Sequence, residues 1–301
     1  MASLADEKQT TTGAAVLAAL AGAALIGLAP IAVRLSELEP AATNLWRFLF
    51  ALPILAVWAG QRPVPKQRDL AWLLGAGVLF GIELNLWAFA LMRTTIANAT
   101  LLTNMTPVFA AAFGWFVFKE RLGAGVLIGG GVALVGAVTL ALARAQTGAG
   151  PASAEAGWIG DALALTAAVG YAGYLLIVRA LGDRVSAGAV MLWSSLSGAA
   201  FTLALCLFTR EPLLPETWRG WAILVGLGVV VQAAGQGLIA YGVGRLPIVV
   251  STVLLWLQPI AASALSWIIF DEALGALALF GAGLVLAGIY IVQRGRAGAA
   301  S

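Results

Sequence analysis

Two ionisable side chains stand inside long apolar runs: Glu83 within Leu79-Phe80-Gly81-Ile82-Glu83-Leu84-Asn85-Leu86, and Arg47 within Trp46-Arg47-Phe48. A charge at depth in a bilayer costs at least about 3 kcal/mol on insertion scales, so each asks for a partner or a purpose. Two readings are open. The residues form a structural ion pair with each other, or they face a cavity. In the second case Glu83 attracts a substrate ammonium or carries a proton, and Arg47 holds a carboxylate in its planar fork. A pair that opens when a zwitterion arrives satisfies both readings.

Amides form a second polar class. Gln232 and Gln236 are four residues apart and share one helix face, and Asn44, Asn85, Asn98, Asn104 and Gln258 also fall within or at the ends of apolar runs. An unsatisfied amide in lipid is costly, so these groups either line a cavity or join helices. Aromatic residues supply candidate walls. Tyr171 and Tyr174 lie three apart on one face, and Trp87, Trp115, Trp193, Tyr241 and Trp256 sit deep in apolar runs. A cavity for amino acids with bulky apolar side chains needs such walls with a few polar fixtures; packing against neighbours or lipid is the other reading. Trp58, Trp72, Trp158, Trp218 and Trp221 sit near run ends and suit interfacial anchoring.

Several chemistries are excluded by what the chain lacks. There is no histidine, and Cys206 is the single cysteine, so Ser-His triads, His relays and CxxC metal sites are absent. Ser194, Ser195 and Ser197 have no nearby base and read as small-residue packing. No GxxxxGK[ST] phosphate loop occurs. The expectation is a protein that is not an enzyme and needs no cofactor or metal. An intramembrane enzyme would want clustered acids or metal ligands at depth.

The elements that must hold these residues are membrane spans. The chain has 301 residues, 61% hydrophobic and only 10% charged, against about a quarter charged in soluble domains. Apolar windows of about 20 residues fall at Gly13–Leu35, Pro40–Ala59, Leu70–Met92, Thr94–Phe118, Leu122–Ala143, Trp158–Leu181, Ser186–Phe208, Trp218–Val243, Pro247–Phe270 and Ala273–Val292. The first run is too long for a signal-peptide core and resembles the others, so it reads as a retained span. Of the 17 Lys and Arg, eleven fall on the side of the N-terminus, five on the other side, and Arg47 inside a span. That asymmetry predicts cytoplasmic termini, and it accounts for the +3 net charge without a nucleic-acid partner.

The stretch 100–136 returns at 252–288. Pro107 answers Pro259, Trp115 answers Trp267, and Leu122-Gly123-Ala124 answers Leu274-Gly275-Ala276 at one offset. Roughly sixteen of about thirty-seven positions are identical, which marks an internal duplication. Two halves follow, residues 13–143 and 157–293, joined by the Gly/Ala/Ser/Pro-rich connection 146–153. Because each half has five spans, the second enters the membrane from the opposite side. The predicted fold is an all-α membrane protein of ten transmembrane helices in two inverted five-helix repeats, with the substrate site between the halves. Pro107 and Pro259, at equivalent positions of spans four and nine, are either static kinks or a moving gating hinge. Gly77, Gly81, Gly129 and Gly281 read as helix packing, with spans five and ten as scaffold.

The run Ala97-Asn98-Ala99-Thr100-Leu101-Leu102, then Pro107, then Phe118-Lys119-Glu120-Arg121-Leu122, together with Trp46-Arg47-Phe48 early in span two, closely resembles the EamA-type members of the drug/metabolite transporter superfamily. The resemblance covers nearly the whole chain. It implies a secondary transporter of small metabolites, often exporting. Leu79 to Leu86 is similar to the third span of bacterial aromatic amino acid exporters within that superfamily, which implies amino acids as cargo, aromatic and other apolar ones among them. The resulting expectation is alternating-access export across a bacterial inner membrane, with a broad drug or metabolite carrier as the alternative. The expected partners are a small-molecule substrate and the lipid bilayer, and a monomer suffices to complete the two-fold.

Overall fold

The computed structural model describes residues 2–61, 65–94, 99, 102–119, 123–145, 154–182, 184–270 and 275–297. Of the sequence motifs, residues 97, 98, 100, 101, 120–122 and 274 and the connection 146–153 lie outside the described residues. The helices are α1 (Ala2–Ile26), α2 (Ala29–Leu35), α3 (Pro40–Ala59), α4 (Gln67–Leu91), α5 (Thr106–Phe118), α6 (Ala124–Ala145), α7 (Ala154–Leu181), α8 (Ala187–Thr209) and α9 (Trp218–Gly226). A π-helical segment, Leu227–Gln236, follows, then α10 (Gly237–Val243), α11 (Ile248–Leu254), α12 (Leu257–Phe270) and α13 (Ala276–Ala297). Among the described residues there is no strand.

Among the described residues, seven helical stretches are long and apolar enough to cross a membrane. Three shorter apolar helices, Thr106–Phe118, Ala124–Thr139 and Ala276–Val292, complete the ten spans. Each span is one helix or two in series, save span eight, which runs α9, π-helical segment, α10. Span one breaks at the Gly27–Leu28 turn before α2, where a Cβ on Gly27 would lie 2.7 Å from the Ala261 Cβ of α12. Spans four and nine break at matching places. Turns at Asn104–Met105 and Leu255–Trp256 put Pro107 second in α5 and Pro259 third in α12. In a first helical turn the missing proline N–H costs nothing, because that N–H has no partner within the helix.

The inverted symmetry is written in the contacts of spans five and ten. A Cβ on Gly129 would meet the Gly288 carbonyl oxygen at 2.7 Å, and one on Gly136 would meet that of Gly281 at 2.7 Å. Gly129 and Gly281 are repeat mates, as are Gly136 and Gly288, so each contact is the image of the other. α6 therefore lies along α13 at backbone distance through small residues, and the pseudo-two-fold axis passes between them. Gly77 does the same for α4 against α8, where a Cβ would fall 2.1 Å from the Ser194 carbonyl oxygen. The buried polar residues Arg47, Glu83, Asn85, Ser195, Thr202, Gln232 and Gln236 lie on spans two, three, seven and eight.

Candidate functional site

Arg47 is almost fully buried on α3, and its Nε donates to Gln232 Oε1 at 2.9 Å. Gln232 Nε2 donates onward to Ser195 Oγ on α8 at 3.2 Å. The π-helical segment supplies Gln232: its wider turns interrupt the α-helical ladder of span eight where polar side chains face inward, a recurring device at functional sites. Among the described residues the terminal guanidinium nitrogens of Arg47 make no hydrogen bond to protein, so the two outer edges of the fork are unused.

Glu83 is buried on α4 and lies near enough to Arg47 to feel its charge, yet no contact within 4.0 Å joins them. Its Oε2 is buried with no hydrogen-bond partner. The ion-pair reading of the sequence is therefore not what the structure shows. Gln232 takes the Arg47 Nε instead, and the π-helical segment packs closely on α3 there: a Cβ on Gly228 would lie 3.1 Å from the Arg47 carbonyl oxygen. An unpartnered buried carboxylate is expensive, which makes Glu83 the group of the site most in need of a cationic or protonic partner. α7 passes close to it: a Cβ on Gly170 would sit 3.3 Å from the Glu83 Cβ.

Beside Glu83 the rings form a stack. Phe80 and Tyr174 lie 4.6 Å apart between centroids at 14°, and Tyr171 and Tyr174 lie 6.0 Å apart at 12°. Tyr171 OH donates to Gln236 Oε1 at 3.3 Å, and Tyr174 OH reaches Met191 Sδ at 3.5 Å. Gln236 thus joins span eight to the aromatic wall as Gln232 joins it to Arg47. Asn85 Nδ2 donates to the Gly81 carbonyl oxygen at 2.8 Å and to Thr202 Oγ1 at 3.1 Å, and Asn44 Nδ2 donates to Asn85 Oδ1 at 3.4 Å. Asn85 is accordingly held by helix-to-helix bonds.

The structure brings together Arg47, Glu83, Asn85, Tyr171, Tyr174, Gln232 and Gln236. Trp87 is half-buried further along α4, and Tyr241 stacks under the Arg245 guanidinium, 3.8 Å from its ring centroid, toward the end of α10. Trp256 is buried at the break of span nine, away from the stack. Phe80 and Ser195 join the site although the sequence did not single out the first and assigned the second to packing; their neighbours on α4 and in the π-helical segment were the only signal. Trp115 takes the second of its two readings, and Trp58 differs from its expected interfacial role. Trp115 faces outward, 55% exposed, because α5 packs through Ala110 and Gly114 on its other side. Trp58 is no free anchor: it fills the space over Gly188 and Gly237, and a Cβ on Gly237 would lie 2.8 Å from its ring.

At one end of the bundle the connections bind each other's helix starts. Glu37, between α2 and α3, accepts the backbone N–H groups of Glu216 and Thr217 at 3.0 and 3.1 Å, and the Thr217 hydroxyl. Glu211, between α8 and α9, accepts the Ala42 N–H at 2.8 Å at the start of α3. Each carboxylate meets the positive end of a helix of the other half. These bonds, led by the Thr217 hydroxyl, hold the Glu37 carboxyl below the usual glutamate range. At the other end Asp69 pairs with Arg184 at 3.5 Å.

Comparison with known proteins decides the family. The EamA-like transporter family matches twice, over residues 13–142 and 158–294. This chain belongs to the EamA-like transporter family. Among EamA relatives, a probable terminal-alkyne amino-acid exporter of Streptantibioticus cattleyicolor is 28% identical over 88% of this chain and 87% of that protein. The pseudopaline exporter of Pseudomonas aeruginosa is 22% identical over 77% of this chain and 78% of its own length. A solved crystal structure superposes with a TM-score of 0.80 at 23% identity, covering 94% of this chain and 97% of the other, which establishes the shared fold. This EamA protein is thus a multi-pass membrane transporter of small molecules, as its family members are, built from two inverted five-helix repeats.

Proposed function

We propose that this EamA transporter exports amino acids, aromatic and other apolar ones among them, across a bacterial inner membrane by alternating access, as a monomer with both termini in the cytoplasm. One observation carries the reading. Glu83 has a buried oxygen without a partner, while Arg47 is fixed by Gln232 with the outer edges of its fork unused. An α-amino acid presents a cation and a planar anion within a few ångströms, which is the complement of that pair. The Phe80, Tyr174 and Tyr171 rings then offer an apolar wall to the side chain. The relative named as an amino-acid exporter supports the cargo class.

Alternation follows from the inverted halves: a rearrangement that closes one face of the first half closes the opposite face of the second. The breaks before Pro107 and Pro259 give spans four and nine a joint at equivalent heights, and the prolines are the proposed hinge. The test is uptake into proteoliposomes. Glu83→Gln keeps the shape and removes the charge, and it lowers amino-acid transport at least about ten-fold, the factor carried by one hydrogen bond to a charged group. Unchanged transport by Glu83→Gln would remove the carboxylate from the mechanism. Transport equally open to amines without a carboxylate would favour a broad carrier of the same superfamily.

A further inference from the structure

The Trp256 Nε1 donates to the Asn104 carbonyl oxygen at 2.9 Å. These two positions are repeat mates, separated by the same offset that relates Pro107 to Pro259. In a two-fold arrangement a position touches its own mate only on the axis, so this bond marks the axis at the breaks of spans four and nine, as the Gly129 and Gly136 contacts mark it between spans five and ten. The bond itself is not symmetric. Residue 256 gives a side-chain donor to the backbone of residue 104, and nothing is given in return. Asn104 carries a donor of its own, the Nδ2 amide, which is buried without a partner among the described residues.

The prolines explain why a carbonyl is on offer. Pro107 stands three residues after Asn104 and has no N–H, and the Val108 N–H goes to the Met105 carbonyl oxygen at 2.9 Å. Pro259 stands three residues after Trp256, so the turn there is also one donor short. Each proline thus thins the supply of donors to the carbonyl of an axial residue.

Inverted-repeat transporters reach their second state when the halves exchange conformations. Applied to an axial pair, the exchange turns a bond from side chain 256 to carbonyl 104 into a bond from side chain 104 to carbonyl 256. We propose that Asn104 and Trp256 are positioning residues that trade one hydrogen bond across the pseudo-two-fold axis. Trp256 donates to the Asn104 carbonyl in the state seen here, and Asn104 donates to the Trp256 carbonyl in the oppositely facing state. The unpartnered Asn104 amide is the donor waiting for that second state. The inference rests on alternation between two facing states and not on amino acids as cargo.

The test uses the full chain in membrane vesicles of both orientations, with Cys206→Ala as background and Tyr171→Cys, at a half-buried position of the aromatic wall, as a reporter. The reading is the ratio of its modification by a membrane-impermeant thiol reagent from the two sides. Trp256→Phe removes the bond of the present state and shifts the ratio toward the other facing state, by roughly five-fold for one net hydrogen bond. Asn104→Leu, with Asn104→Ala as a smaller substitute should leucine not fold, removes the bond of the other state and shifts the ratio by a similar factor the opposite way. A role confined to packing would not produce shifts of opposite sign. Shifts in the same direction, or none with the asparagine variants, overturn the exchange. Modification from one side only in the background protein would instead remove alternating access itself.

Discussion

Replacing Gln232 with leucine separates what holds Arg47 from what Arg47 does. The substitution deletes the 2.9 Å bond from Arg47 Nε and the 3.2 Å bond to Ser195 Oγ, both within fully buried surroundings. Neutral bonds between membrane helices average about 0.6 kcal/mol and reach about 1.7. A charged donor left without its acceptor belongs at the top of that range or above it, so the cost is about 1.5–3 kcal/mol. Removing both partners behaves differently, because replacing a buried polar pair by apolar residues of like volume is often close to neutral. Thus Arg47→Met with Gln232→Leu recovers most of the stability that Gln232→Leu loses, while substrate binding is lost in the double variant and only weakened in the single one. The assay is equilibrium unfolding in detergent alongside ligand binding, arranged as a double-mutant cycle. Additive destabilisation, with the double variant less stable than either single one, would refute the assignment of Gln232 as the acceptor that keeps Arg47 in place.

Three further outcomes follow from named contacts. Gly288→Ala drives a Cβ to 2.5 Å from the Ala133 nitrogen and the Gly129 carbonyl oxygen, which costs about 1–3 kcal/mol in unfolding measurements; Gly283→Ala, with open space around it, is neutral or slightly stabilising. The Glu37 carboxyl titrates below its ordinary range, so its links to Glu216 and Thr217 are intact above that range and fail only as pH falls through the lowered value. Hydrogen exchange at the start of α9 therefore stays slow from pH 7 to about 5 in the parent and rises at pH 7 in Glu37→Gln. Pro107→Ala combined with Pro259→Ala slows transport by restoring donors at both breaks; full transport by the double variant would leave the prolines without a hinge role.

The ten spans and their inversion were legible because duplication leaves a fixed offset and lipid demands long apolar runs. Pro107 and Pro259 announced the places where spans four and nine break, although they cap the second half of each broken helix and do not kink a continuous one. Arg47 and Glu83 stood out through the cost of charge at depth. Their relation did not, since opposite charges in neighbouring spans suggest a pair, and only packing reveals that Gln232 intervenes. The π-helical segment has no periodic signature in sequence: Gln232 and Gln236 keep a four-residue spacing in either kind of helix. The packed position of Trp58 and the choice between the two readings of Trp115 were hidden for a reason of the same kind, because run position gives depth but not the direction in which a helix face points.

In the proposed function one site reads an ammonium and a carboxylate together, through Glu83 and Arg47. The most direct measurement is competition in proteoliposomes loaded with labelled phenylalanine. Unlabelled phenylalanine is set against 3-phenylpropanoate, which lacks the ammonium, and phenethylamine, which lacks the carboxylate. The expected result is that the amino acid competes and that each analogue is weaker by at least about ten-fold, the loss of one hydrogen bond to a charged group. Equal competition by either analogue would contradict it.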